Sequence, residues 1–389
     1  MRSTLRRTWA EINLDHLAEN YRKIRAHVGS ESGFVGVVKA DAYGHGAIHV
    51  SRVLQDLGAD YLAVSSIDEA MELRFNGITM PVLILGYTPV EQVARLIEFD
   101  ITQAVPCRDK ALEYSREAEK LGARLKAHIK VDTGMSRLGF FCEGDCFRSG
   151  TDDIAKVCGL PGLDVEGIFT HFAVSDEPGE ECLEYTRHQL DLFLKVIHEA
   201  EKKSGRSFRL RHCANTGATV RYPDTYLDMV RPGILLYGYG EFARELGLKP
   251  VMSLKTTVST VKNYPPETRI SYGGTYVTDR PTRMGVLPYG YADGFFRCLS
   301  NCFALMTPKG PAPVRSRICM DMCMVDLTEM PEVDQGSEIE IFGEKNPVEE
   351  MASAAGTIPY ELVCAVSKRV PRVYMEEGKV IDRELLLRM

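Results

Sequence analysis

From residue 34 to about 240 the chain alternates short apolar runs with amphipathic stretches. The runs are 34–39, 61–65, 82–86, 101–105, 124–131, 164–170, 208–213 and 229–236. Rich in β-branched residues and bounded by glycines and polar residues, they read as strands buried on both faces. Between them, 46–57, 68–76, 90–98, 109–121, 150–158 and 186–204 place apolar residues at helical spacing. Gly58, Gly77, Gly122 and Gly205 stand where glycine commonly ends a helix. Alternating β/α units of this number predict a (β/α)8 barrel. An open doubly wound sheet shares the pattern, but its usual Gly-x-Gly-x-x-Gly turn after the first strand is missing.

After residue 240 the rhythm changes to β-branched, alternating segments at 252–262, 269–278, 283–288, 303–306, 314–326 and 338–342, punctuated by Gly and Pro. These predict a mainly β domain, with one further helix near 347–356. The expected division is a barrel over 12–240 and a β domain over 241–389. The strand-like N-terminus, 1–11, is expected to join the second domain.

Composition narrows the function classes. Apolar residues make up 44% and charged residues 26% of 389, and the net charge is −7, so the chain is an ordinary globular protein with no polyanion-binding character. Nucleic acid is not an expected partner. The basic start Met1-Arg2-Ser3-Thr4-Leu5-Arg6-Arg7 leads into Thr8-Trp9 without an apolar stretch or cleavage site, and no run approaches membrane-spanning length. A cytoplasmic protein is expected. The eleven cysteines are odd in number and include no Cys-x-x-Cys pair. Cys142/Cys146, Cys298/Cys302 and Cys319/Cys323 share a four-residue offset without a histidine at ligand spacing, so reduced thiols and no metal are expected.

In a barrel, residues ending separate strands converge at one mouth. Lys39 ends the first run, Phe34-Val35-Gly36-Val37-Val38. Read one way it snorkels to the surface; read the other, it is a desolvated amine able to attack a carbonyl, as lysines that anchor pyridoxal phosphate (PLP) do. Lys130 and Arg137 bracket the end of the fifth run, His171 ends the sixth, His212 the seventh, and Arg231 opens the loop of the eighth. His171 also fits a hydrogen-bonded core histidine, and Arg231 a surface ion pair. Asn215-Thr216-Gly217 and Gly233-Ile234 are either plain turns or backbone N–H donors for a phosphate, which the Tyr43 hydroxyl would assist.

Together these residues resemble one family. Val38-Lys39-Ala40-Asp41-Ala42-Tyr43-Gly44-His45-Gly46 is similar to the PLP attachment motif of bacterial alanine racemases. Further matches follow in order: Lys130 to Gly139, Thr170-His171-Phe172-Ala173, Arg231-Pro232-Gly233-Ile234, Ile270-Ser271-Tyr272-Gly273, Gly290-Tyr291-Ala292-Asp293-Gly294, Arg317-Ile318-Cys319-Met320-Asp321 and Pro359-Tyr360-Glu361.

The resemblance implies a PLP-binding barrel followed by a β domain, the racemisation of alanine, and D-alanine supply for peptidoglycan. It implies Lys39 as the Schiff-base anchor and one catalytic base, with Tyr272 as the opposed base. Tyr43, Thr216, Gly233, Ile234 and Tyr360 would hold the phosphate, His171 would lie against the pyridine ring, and Arg231 would face its nitrogen. Arg137 and the Met320 backbone would receive the substrate carboxylate, and Lys130 matches a position that can be carbamylated. Tyr272, Met320 and Tyr291 would reach the site of a partner subunit, which implies a homodimer with shared active sites.

Thr216-Gly217 replaces the more usual Ser-Ala, and Ser136 stands where glycine is common. The alternative within the same architecture is a serine or broader-specificity racemase. A PLP decarboxylase would need no second base such as Tyr272, and a non-catalytic PLP carrier of this barrel type would lack residues 240–389.

Overall fold

The computed structural model describes residues 7–385, and the chain forms two compact units. Of the N-terminal stretch expected to join the β domain, residues 1–6 lie outside the described residues, as do 386–389 at the other end. The first unit comprises Tyr21–Ala42 and Ala47–Leu236. Its strands Gly33–Val37, Tyr61–Val64, Val82–Ile84, Ile101–Val105, Leu125–Asp132, Leu163–Phe169 and Leu210–His212 pair in sequence order, all parallel, and Met229–Val230 pairs with the first.

Two backbone hydrogen bonds draw the ends together. Asp228 N–H donates to the Arg211 carbonyl (3.0 Å) and Arg231 N–H to that of Ala214 (2.9 Å). The result is a nearly closed eight-stranded parallel barrel with helices around it, rather than the open sheet. The strands are short because they are wholly buried: Phe34, Val35, Leu62, Ala63, Val82, Leu83, Ile84, Ala127 and Ile129 are fully enclosed. The last strand is shorter than its apolar run. Pro232 offers no N–H, and Gly233 (φ +55°) turns the chain into the 3-10 turn Gly233–Tyr237.

The second unit holds Tyr43–Gly46, the chain up to Asn20 and everything from Tyr237. Its seven-stranded sheet runs Gly310–Pro313, Ala304–Thr307, Glu338–Phe342, Met252–Thr257, Thr8–Asn13, Arg372–Glu376, Lys379–Glu384. Thr8–Asn13 lies antiparallel to Met252–Thr257 and parallel to Arg372–Glu376. A three-stranded sheet joins Thr260–Tyr264, Thr282–Leu287 and Cys323–Asp326.

Here two apolar runs were too generous. Residues 252–262 form two strands in different sheets, because Val258 N–H pairs with Ser337 and Ser259 N–H with Val286 (2.8 Å), which hands the backbone from one ladder to the next. Of 314–326, Cys323–Asp326 alone forms a regular strand, and Cys319 lies outside it. Among the described residues no helix is long and apolar enough to cross a membrane.

Candidate active site

Lys39 opens a turn that nothing in its composition announces. Residues Lys39–Gly44 are helical, yet Ala40, Asp41, Ala42 and Tyr43 all have φ of 53–54°, so the helix is left-handed. For L-residues this conformation costs about 1–2 kcal/mol each. Fixed acceptors and donors hold it: Ala42 N–H donates to Val38 (2.8 Å), Ala40 N–H to Glu69 Oε1 (2.7 Å), and the Asp41 carboxylate accepts from Ala47 N–H (2.7 Å). The Glu69 carboxylate is itself fixed by Ser65 N–H (2.7 Å). Strain of this kind, over-determined by its surroundings, is typical of functional turns.

Within the barrel unit the strand ends gather a set of cations. Lys130 is buried with its ammonium 4.5 Å from the centre of the Phe169 ring. Burial holds its pKa well below the ordinary lysine value; Arg231, Arg137 and Lys39 reinforce this and Asp132 opposes it. No hydrogen-bond acceptor for the Lys130 amine occurs among the described residues. Beside it a mostly apolar cavity of about 250 Å³ is lined by Leu85, Tyr87, Ala104, Pro106 and Leu138. Burial, then Arg231 and the lysines, push the His171 imidazole well below its usual pKa, so it is neutral. Arg137 is exposed on a loop that Asp132 organises, its Oδ1 accepting from Gly134 N–H and Ser136 N–H (both 3.0 Å). Ser136 has φ +53°, which explains why glycine suits that position.

Arg231 is 4% exposed and paired with no carboxylate. Its guanidinium donates to His212 Nδ1 (2.7 Å), to the carbonyls of Thr170 (2.9 Å) and Cys213 (3.2 Å), and towards His171 Nδ1 (3.4 Å). Burial lowers its pKa to about 10, which leaves it charged at neutral pH.

Two short helical turns begin beside it, Thr216–Arg221 capped by Asn215, and Gly233–Tyr237. The Thr216 hydroxyl donates to the Pro232 carbonyl and so ties the two starts together. Their first N–H groups, at Thr216, Gly217, Gly233 and Ile234, have no intrahelical acceptor and are buried. That is a donor set for an anion. Glycine is required at 217: a Cβ there would lie 2.6 Å from the Ser175 carbonyl oxygen. The departure from Ser-Ala at this turn therefore follows from how closely the Ser175–Asp176 backbone packs.

The remaining expected residues belong to the second unit. Tyr43 is buried, its ring edge-on to Tyr237 (5.1 Å) and Tyr360 (6.0 Å). Burial, with Tyr360 and Cys364 nearby, raises its pKa, so its hydroxyl is a neutral donor. Arg372, 2% exposed, donates to the carbonyls of Gly44 (3.1 Å), Val366 (2.8 Å), Ser367 and Val370 (both 2.7 Å), which anchors the end of the left-handed turn.

Tyr272 occupies a short turn between Arg269–Ile270 and Tyr276–Val277, preceded by Ser271 at φ +53°. Ser271 Oγ contacts the Arg317 carbonyl (3.3 Å) and Cys319 Sγ (3.4 Å), while Tyr291 N–H and Ala292 N–H donate to the carbonyls of Cys319 and Met320 (both 3.0 Å). Tyr272, Met320 and Tyr291 are thus held on neighbouring loops, and they are 70%, 53% and 44% exposed. Aromatic and thioether side chains left this open are the signature of a surface that another molecule covers. Sequence reading missed Glu69, His128, Glu166 and Arg372, which carry none of the strand-end placement that marked the others.

Family models match both units: alanine racemase, N-terminal domain, over 12–241 and alanine racemase, C-terminal domain, over 251–374. The chain is 42% identical over 385 residues to "Alanine racemase 2" of Caldanaerobacter subterraneus subsp. tengcongensis, covering 97% of each. It is 45% identical over 372 residues to an alanine racemase of Desulforamulus reducens, covering 94% of this chain and 98% of that one. A solved alanine racemase of Clostridium difficile 630 superposes with a TM-score of 0.91 at 38% identity, covering 98% of each chain.

Proposed function

The chain belongs to the alanine racemase family, and from that premise we propose that it interconverts L- and D-alanine with Lys39 and Tyr272 as two opposed bases. The observation that carries the reading is the barrel mouth itself, where Lys39 on its left-handed turn meets buried Arg231 and Lys130 and two helical starts with free N–H groups.

This donor set fits PLP. The buried N–H groups at Thr216, Gly217, Gly233 and Ile234 suit a phosphate dianion, with the neutral hydroxyls of Tyr43 and Tyr360 as further donors. Arg231 would face the ring nitrogen and His171, kept neutral, would lie against the ring. When bound, PLP supplies an aldehyde for the Lys39 amine and a ring that withdraws electrons from the substrate Cα. Arg231 is donor-only and keeps its proton, so the ring nitrogen stays largely unprotonated and electron withdrawal is moderate. That limits side reactions such as transamination.

Racemisation requires a proton to leave one face of Cα and another to arrive at the opposite face. One base alone would mostly return the proton to its own side. Lys39 Nζ and Tyr272 Oη divide the task, each taking a proton from one enantiomer and supplying it to the other. Arg137 orients the substrate carboxylate, assisted by the Met320 backbone. The exposure of Tyr272, Met320 and Tyr291 supports a cytoplasmic homodimer in which these residues complete the partner's site.

Lys130 suits carbamylation. A neutral, buried amine attacks CO2 and releases one proton, and the carbamate formed carries the negative charge that the surrounding guanidinium groups lack.

The test is direct. Purified protein with PLP should be yellow, and borohydride followed by peptide mapping should fix the label on Lys39. Steady-state rates should be far higher with the alanine enantiomers than with serine; the named relatives give the serine alternative no support. A protein that bound PLP and left every enantiomer unchanged would refute the reading.

A further inference from the structure

The barrel core contains a polar column that the proposed chemistry does not use. It starts at Arg231. Because a guanidinium only donates, His212 Nδ1 must accept (2.7 Å) and the proton of the neutral imidazole must sit on Nε2. His212 Nε2–H then donates to His128 Nδ1 (2.9 Å), which fixes the His128 proton on Nε2 as well. That Nε2 faces Glu166 Oε1 at 3.5 Å, long for a hydrogen bond but with no nearer acceptor among the described residues.

Glu166 closes the column. It accepts from the Tyr61 hydroxyl (2.7 Å) and pairs with Arg209 (2.6 Å), whose side chain is 70% exposed. Although burial works against ionisation, contacts with His128, Tyr61 and Arg209 hold the Glu166 carboxyl at about 2. Both histidines are fully buried, and burial keeps them neutral.

The column is built to one geometry. Phe169 stacks on His212 at 4.8 Å with only 3° between the planes. Gly167 lies under His128 so closely that a Cβ would come within 2.7 Å of three ring atoms. Barrel interiors are ordinarily filled by Val, Ile and Leu, and an aliphatic column would avoid the desolvation of a carboxylate and two imidazoles.

We propose that Glu166, acting through His128 and His212, is the anionic end of a relay that orients the Arg231 guanidinium and sets its strength as a donor. These three are positioning residues: the relay polarises one direction of donation along the barrel axis, from the mouth towards the strand N-terminal ends. The proposal rests on the reading of Arg231 as the partner of the cofactor ring nitrogen.

Two measurements on the full-length protein test it. In selectively 15N-histidine-labelled protein without PLP, His212 and His128 should both show the Nε2–H tautomer, and Glu166→Gln should shift the His212 nitrogens although the two side chains do not touch. In the PLP-loaded enzyme, Glu166→Gln should lower kcat for alanine about tenfold, or about 1.4 kcal/mol, with KM little changed. In an Arg231→Lys background the same substitution should have almost no further effect.

His212 nitrogens indifferent to Glu166→Gln, or kcat losses that simply multiply in the double variant, would overturn the relay. Arg231→Lys alone reports on the underlying reading: unaltered cofactor absorbance and kcat would refute the placement of Arg231 and leave the His212 shift to judge the relay separately. If Glu166→Gln does not fold, His128→Asn replaces it. Its Oδ1 substitutes for Nδ1 towards His212 while the link to Glu166 is lost, and the same two effects are expected.

Discussion

Replacing Ala40 by glycine gives the sharpest test of the left-handed turn that carries Lys39. Ala40 is exposed and has φ +53°, so its methyl group contributes nothing to the core and everything to backbone strain. Glycine removes a penalty of about 1–2 kcal/mol for a left-handed L-residue. Against this stands the greater freedom glycine has when unfolded, about 0.5–1 kcal/mol. The net expectation is a stabilisation of roughly 0.5–1 kcal/mol, or an unfolding midpoint higher by about 1–4 °C for a unit of this size. In an ordinary right-handed helix the same exposed substitution would destabilise by about 1 kcal/mol. The sign of the change therefore decides. Urea unfolding with an unchanged m-value is the assay, and kcat should fall because the loosened turn no longer fixes Lys39. A loss of stability near the right-handed value would refute the strained turn.

Three other outcomes follow from the same geometry. Gly167→Ala should destabilise the barrel by about 1–3 kcal/mol, since the rigid His128 ring cannot retreat from the new methyl; urea midpoints at neutral pH report it. The depressed Glu166 pKa, about 2 against 4.5 for the free side chain, means that the fold favours the ionised form. Its contribution is fully present above about pH 4.5 and disappears as pH falls towards 2, so wild-type stability should drop on acidification more steeply than that of Glu166→Gln. Mixed dimers of Lys39→Ala and Tyr272→Phe should recover activity absent from either variant, because one site of each mixed dimer regains both bases; no recovery on subunit exchange would show that each chain completes its own site.

Much of the fold was legible because each barrel strand is enclosed on both faces and so appears as an unbroken apolar run, for example Val82-Leu83-Ile84. Lys39, Lys130, His171 and Arg231 stood out as charged or titratable groups at the ends of such runs. The left-handed turn did not, because Ala40, Asp41, Ala42 and Tyr43 are not residues that seek positive φ, and tertiary contacts from Glu69 and Arg372 impose it. His128 and Glu166 were hidden for a different reason. They lie inside strands, where a polar residue pointing into the barrel and one pointing to solvent look alike in sequence. The 252–262 run misled because a strand that changes sheets keeps its β-branched pattern throughout.

The two-base assignment is tested most directly by solvent-deuterium exchange at Cα in Tyr272→Phe loaded with PLP. Exchange from L-alanine should fall by about 10²–10⁴-fold, the usual worth of a positioned base, while exchange from D-alanine, served by Lys39, changes far less. Equal losses for the two enantiomers would contradict the division of the faces between Tyr272 and Lys39.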